Sequence, residues 1–170
     1  MRQEKRGISG PPLAESGVHL AINSKSLWKQ SRKQQLKLHS RFNTDVVILK
    51  MFPGITKEVV THILSLNNLK GVILETYGSG NAPTQAWFLA LLEEKISAGL
   101  KVVNVTQCAG GSVAMGNYET SVAMKKIGVV SGKDITTEAA IAKLMYLLDK
   151  NLTHKVFKTI YETSLRGEMS

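Results

Sequence analysis

Gly71-Val-Ile-Leu-Glu-Thr-Tyr77, followed at once by Gly78-Ser-Gly-Asn-Ala82, decides the fold class of this chain. A nearly continuous apolar run ending in a glycine-rich turn reads as a strand buried on both faces, because a half-exposed strand would alternate. Working outward, Val46-Val-Ile-Leu-Lys-Met-Phe52 and Lys101-Val-Val-Asn-Val-Thr106 have the same character, and Gly128-Val-Val-Ser131 is a shorter extended piece. Helical patterns separate them. Thr56 suits the N-cap of a helix over 57–66, whose Val59, Val60, Ile63 and Leu64 recur at helical spacing before Asn67-Asn68 breaks it. Pro83 suits the first turn of a helix that runs to about Ala98 and stops at Gly99. Residues 117–127 read as helical. Thr136 or Thr137 caps a helix over 138–150, and Thr153 caps a last one to about Leu165. Strands alternating with single helices imply a three-layer α/β/α domain with a small parallel sheet, Rossmann-like or flavodoxin-like, with right-handed crossovers.

Residues ahead of this unit read differently. Val18-His-Leu-Ala-Ile-Asn23 alternates like an edge strand, and Leu36-Lys-Leu-His-Ser40 is a candidate for another. The reading divides the chain into a basic N-terminal arm or interdomain-linker remnant, 1–42, and an α/β domain, 43–170. The net charge of +9 concentrates early: residues 1–50 hold ten basic and three acidic side chains, residues 51–170 twelve and ten. A basic arm could bind nucleic acid, but Lys29-Gln-Ser-Arg-Lys-Gln-Gln-Leu-Lys37 has only Trp28 nearby for stacking, so a solvated linker is the favoured reading and nucleic acid an unlikely partner. One cysteine, Cys108, allows no internal disulfide and suits a reducing compartment. No stretch approaches the roughly 20 apolar residues of a membrane span, and the first residues lack the apolar core of a secretory signal. The expectation is a cytoplasmic protein that meets no membrane.

Ligands of open parallel sheets meet the loops at the strands' C-terminal ends. In Tyr77-Gly-Ser-Gly-Asn-Ala-Pro83 the glycines permit close approach, and Asn81, read as lying at a helix N-terminus, offers a donor and an acceptor to a small amino-acid ligand. A plain tight turn capped by Asn81 explains the same residues. In the second loop, Thr106 to Tyr118, Cys108 has no acid–base partner in the sequence and reads as a half-buried, inert thiol. One cysteine and the scattered His19, His39, His62 and His154 give no zinc spacing, no phosphate-binding loop is present, and Glu93-Glu94 lies mid-helix. No metal or other cofactor is expected.

These two loops, with Phe52-Pro-Gly-Ile55 and Leu165-Arg-Gly-Glu168, resemble the C-terminal domain of type I cytoplasmic bacterial L-asparaginases, and Pro11-Pro-Leu-Ala-Glu-Ser-Gly-Val18 resembles the stretch leading into it. The likeness covers about residues 11–168. It implies hydrolysis of L-asparagine by water to L-aspartate and ammonia. The family's threonine nucleophiles lie in an N-terminal domain, in Thr-Gly-Gly-Thr and Gly-Thr-Asp-Thr motifs that this sequence lacks. The resemblance therefore implies no catalytic residue in this chain, which by itself is expected to be inactive. It also implies that Asn81, with Ser79 and Gly80 shaping its approach, contacts substrate across a subunit interface. It assigns Thr106 and Cys108 to an allosteric asparagine site, where Glu75 replaces an arginine; an acid there repels the ligand carboxylate. The expected partners are L-asparagine and either a second copy or an asparaginase N-terminal domain. A non-catalytic, self-associating assembly module is the alternative, since a missing domain should leave apolar surface exposed. Whether glutamine is also a substrate stays open.

Overall fold

The structure, a computed structural model, describes residues 12–25, 27, 37–83, 85–116 and 119–170. Four parallel strands form the main sheet: β3 (Val46–Lys50), β4 (Gly71–Thr76), β5 (Lys101–Thr106) and β6 (Val130–Ser131), in that spatial order. The register runs Val46 beside Gly71, Gly71 beside Lys101 and Val103 beside Val130. Connecting them are α1 (Lys57–Leu64), α2 (Ala86–Ser97) and α3 (Glu119–Lys126); α4 (Thr137–Leu148) and α5 (His154–Tyr161) follow β6.

Each strand is added on the same side of the last, so crossovers of one hand must all lie on one face. The core has that arrangement. Val60 and Leu64 of α1, Phe88 and Leu92 of α2 and Met124 of α3 pack on Leu49, Val72, Leu74 and Val102. The opposite face, carrying Ile73, Val103 and Val105, is covered by Ala140, Leu144 and Leu147 of α4 and Phe157 and Tyr161 of α5. Both faces are therefore dry, which is why β4 and β5 read as continuous apolar runs. The expected three-layer architecture stands, with strand order advancing without a reversal.

Two helix starts follow their threonine caps, whereas Thr153 precedes α5 without a side-chain capping hydrogen bond. Thr56 Oγ1 accepts from the Val59 N–H at 3.4 Å, and Thr136 Oγ1 from the Ala139 N–H at 3.3 Å. Gly99, at φ +108°, ends the α2 region as expected. Other boundaries shift. The helix expected to start at Pro83 starts at Ala86. Tyr77 and Asn81 instead exchange backbone hydrogen bonds of 2.9 and 2.8 Å, closing a hairpin that the chain must leave before it can wind. Asn81 accordingly lies ahead of the helix, not at its N-terminus. The last helix stops at Tyr161 rather than about Leu165, because the Glu168 carboxylate takes the N–H groups of Leu165 and Arg166 and turns the chain back.

Of the early segments, Leu20–Ile22 is extended (β2), but it pairs with Ala14–Ser16 (β1) in a separate antiparallel ribbon and not with the main sheet. Residues 37–40 have no regular structure, and Leu36, Trp28 and most of the basic run lie outside the described residues. Among the described residues no helix is long and apolar enough to cross a membrane.

Candidate functional site

The loop after β4 is held by three consecutive carbonyls. Thr106 Oγ1 donates to Gly78 O. The Ala114 N–H donates to Ser79 O at 3.0 Å. Asn104 Nδ2 donates to Gly80 O at 3.0 Å and its Oδ1 accepts from Thr76 Oγ1 at 2.6 Å. Thr76 and Asn104 are fully buried, so this polar network sits in a low-dielectric place where each bond counts and each orphan is costly. Gly80 has φ +101°, and a Cβ there would lie 2.7 Å from Val113 Cγ1 and 3.1 Å from Asn104 Nδ2. Only glycine lets the loop lie this close to the second one.

The fastened loop presents Asn81, whose main chain is used by the hairpin with Tyr77. Its side-chain Oδ1 is buried and has no hydrogen-bond partner among the described residues. Such an oxygen is uncommon in native proteins and costs about 1–3 kcal/mol unless a donor arrives.

The loop after β5 is organised by Gln107. Its Nε2 donates to Met51 O at 2.7 Å and to Glu75 O at 2.9 Å, tying together the ends of three strands. Thr106, Gln107 and Cys108 line a cavity of about 240 Å³ together with Asp134, Thr137 and Glu138. Cys108 is exposed, which corrects the expectation of a half-buried thiol, and its backbone N–H donates to Thr106 Oγ1 at 3.0 Å. Glu75 stands behind this cavity. One oxygen accepts from Thr137 Oγ1 at 2.6 Å and the other lies 3.6 Å from Lys50 Nζ. The residues lining the cavity include two carboxylates and no lysine or arginine.

Thr137, Glu75 and Lys50 bring a hydroxyl and an amine to the two oxygens of one carboxylate. An attacking hydroxyl needs a base for its proton and donors for the oxyanion. Here Lys50 addresses the carboxylate and has no hydrogen bond with the hydroxyl, and its side chain is 66% exposed. The arrangement braces the start of α4 against β4. His62 is bonded to Glu58 O within α1, and His39 packs edge-on against Tyr146. Among the described residues no group of three or more metal-binding side chains gathers.

Sequence reasoning selected Ser79, Gly80 and Asn81, and the structure brings them beside Thr106. Thr106 and Cys108 line the neighbouring cavity, whereas Glu75 does not line it and reaches it only through its bond with Thr137. It missed Asn104 and Thr76. The signal was present: a polar residue inside Val102-Val103-Asn104-Val105 must find buried partners.

The family model of the glutaminase/asparaginase C-terminal domain matches residues 45–161. The 60 kDa lysophospholipase of Mus musculus is 41% identical over 161 residues, which are 94% of this chain and 28% of that protein. L-asparaginase 1 of Escherichia coli (strain K12) is 37% identical over 94% of this chain and 47% of its own length. The crystal structure of L-asparaginase I from Vibrio cholerae superposes with a TM-score of 0.84 at 39% identity, covering 94% of this chain and 48% of that one. This chain thus spans from about a quarter to half of the relatives it matches. It belongs to the glutaminase/asparaginase family and carries that family's C-terminal domain.

Proposed function

We propose that this chain serves the hydrolysis of L-asparagine to L-aspartate and ammonia as the domain that completes a pocket made elsewhere, in the cytoplasm. The observation that supports this most is the Asn81 loop: three neighbouring carbonyls are anchored, and the next side chain holds a buried oxygen with no donor among the described residues. The amide of Asn81 can accept from a substrate ammonium and donate to a substrate carboxylate. Ser79 and Gly80 set its approach. The nucleophile comes from an asparaginase N-terminal domain, and these 170 residues by themselves are inactive. At the neighbouring cavity, Thr106 and Cys108 face carboxylates, and Glu75 is engaged by Thr137 and Lys50, so asparagine binds there weakly and does not regulate.

The test is ammonia release from asparagine. The pure chain should give none, and mixing with a separately made asparaginase N-terminal domain should restore turnover. Asn81→Ala should then lower kcat/KM about 10–100-fold, the loss of a hydrogen bond to a charged group. Turnover by the pure chain, or a mixed enzyme indifferent to Asn81→Ala, would overturn the reading.

A second reading, a self-associating assembly module, is favoured by the β1–β2 ribbon, where Leu13, Val18, Leu20 and Ile22 are all exposed. A chain that self-associates but never gains activity from the mixed-in domain would favour it.

A further inference from the structure

The outer face formed by α4 and α5 carries a groove of about 620 Å³, within the range of roughly 300–1,000 Å³ that small-molecule sites occupy. It shares no lining residue with the Asn81 loop or with the cavity beside Cys108. Its floor is apolar, built from Tyr146, Leu147, Leu152, Ile160 and Leu165. Its charged groups are unevenly signed: Lys143, Lys150 and Arg166 against Glu168 alone. Lys143 and Glu168 neutralise each other at 2.6 Å in the wall. At the exposed rim stand Lys150, which forms an ion pair with Asp149 at 3.2 Å and lies 4.9 Å from the Tyr146 ring, and Arg166.

We propose that this groove binds a single-chain anionic amphiphile, a long-chain fatty-acyl carboxylate, with the chain along the apolar floor and the head between Lys150 and Arg166. An apolar trough rewards a flexible hydrocarbon by burial, and the cationic rim selects the sign of its head. Charge disfavours two other occupants. The segment just before His39, residues 28–36, contains Lys29, Arg32 and Lys33 and no acid. A second copy brings a net charge of +9 to a positive rim.

The test titrates the full chain, below micelle-forming concentrations, with laurate and with dodecyltrimethylammonium, which has the same chain length and the opposite charge. Laurate should bind saturably, one per chain, about tenfold or more tighter than the cation. Lys150→Glu combined with Arg166→Glu should reverse that order. Ala142→Trp, at an exposed alanine lining the groove, should weaken both ligands about tenfold or more with unchanged circular dichroism. Equal binding of the two ligands, unsaturable binding, or laurate affinity indifferent to Ala142→Trp would overturn the proposal. So would chain dimers that Ala142→Trp dissociates, which would make a second copy the occupant. Should Ala142→Trp fail to fold, the charge reversal, confined to exposed side chains, still decides.

Discussion

Glu168 shows how much one side chain can hold. Its carboxylate takes Lys143 Nζ at 2.6 Å and the N–H groups of Leu165 and Arg166, while the Lys143 side chain is only 4% exposed. Burial pushes the Glu168 carboxyl up, but the Lys143 hydrogen bond and the backbone donors outweigh it and hold it from the ordinary 4.5 down to about 2. A carboxyl depressed on folding stabilises the protein fully above its unfolded value, and that contribution drains as pH falls from about 4.5 toward 2. Glu168→Ala should leave a buried ammonium without its counter-charge and cost about 3–5 kcal/mol in urea unfolding. The acid-side slope of stability between those pH values should flatten in the same variant. Gly80 is the second sensitive position. Gly80→Ala meets Val113 and a backbone angle side chains rarely adopt, so a loss of about 2–4 kcal/mol is expected in thermal or denaturant unfolding.

Among the elements, α4 carries the most responsibility. It covers Ile73 and Val103 through Leu144, accepts the Tyr161 hydroxyl on Ala140 O at 2.8 Å, and offers Thr137 to Glu75 and Lys143 to the tail. Its start depends on Thr136, whose hydroxyl accepts from Ala139. Thr136→Ala should cost about 1 kcal/mol, measured by denaturant unfolding, with native circular dichroism retained. The β1–β2 ribbon is the opposite case. Two short strands alone are marginal in water, and here they expose Val18 at 96% and Leu20 at 65%. Such a ribbon calls for a surface to cover it. Leu20→Lys with Ile22→Lys should reduce association seen by light scattering at high concentration, leaving the unfolding midpoint of the sheet domain unchanged. A chain that stays strictly monomeric in both forms would remove the ribbon from any interface.

At the scale of the molecule, much of the plan was legible because both faces of one sheet are covered. Continuous apolar runs, single helices between them and threonine caps give a three-layer α/β domain directly from the residues. The loop positions were legible too, since glycines concentrate where backbones approach closely. Element ends were less so. Pro83 and Leu165 read as helical because local preference sees only nearby residues, whereas a hairpin to Tyr77 and a carboxylate at 168 set the true ends.

The sequence by itself determined the layers, the two loops at the strand ends and the absence of the family's threonine motifs, because periodicity and composition are properties of neighbours along the chain. Tertiary structure alone decided that Asn104 and Thr76 fasten the Gly80 loop, that Glu75 is engaged by Thr137 and Lys50, and that Lys143 is buried against Glu168. Those pairings join residues 24 to 62 positions apart, and only the closed sheet and its covering helices bring them within a hydrogen bond's reach.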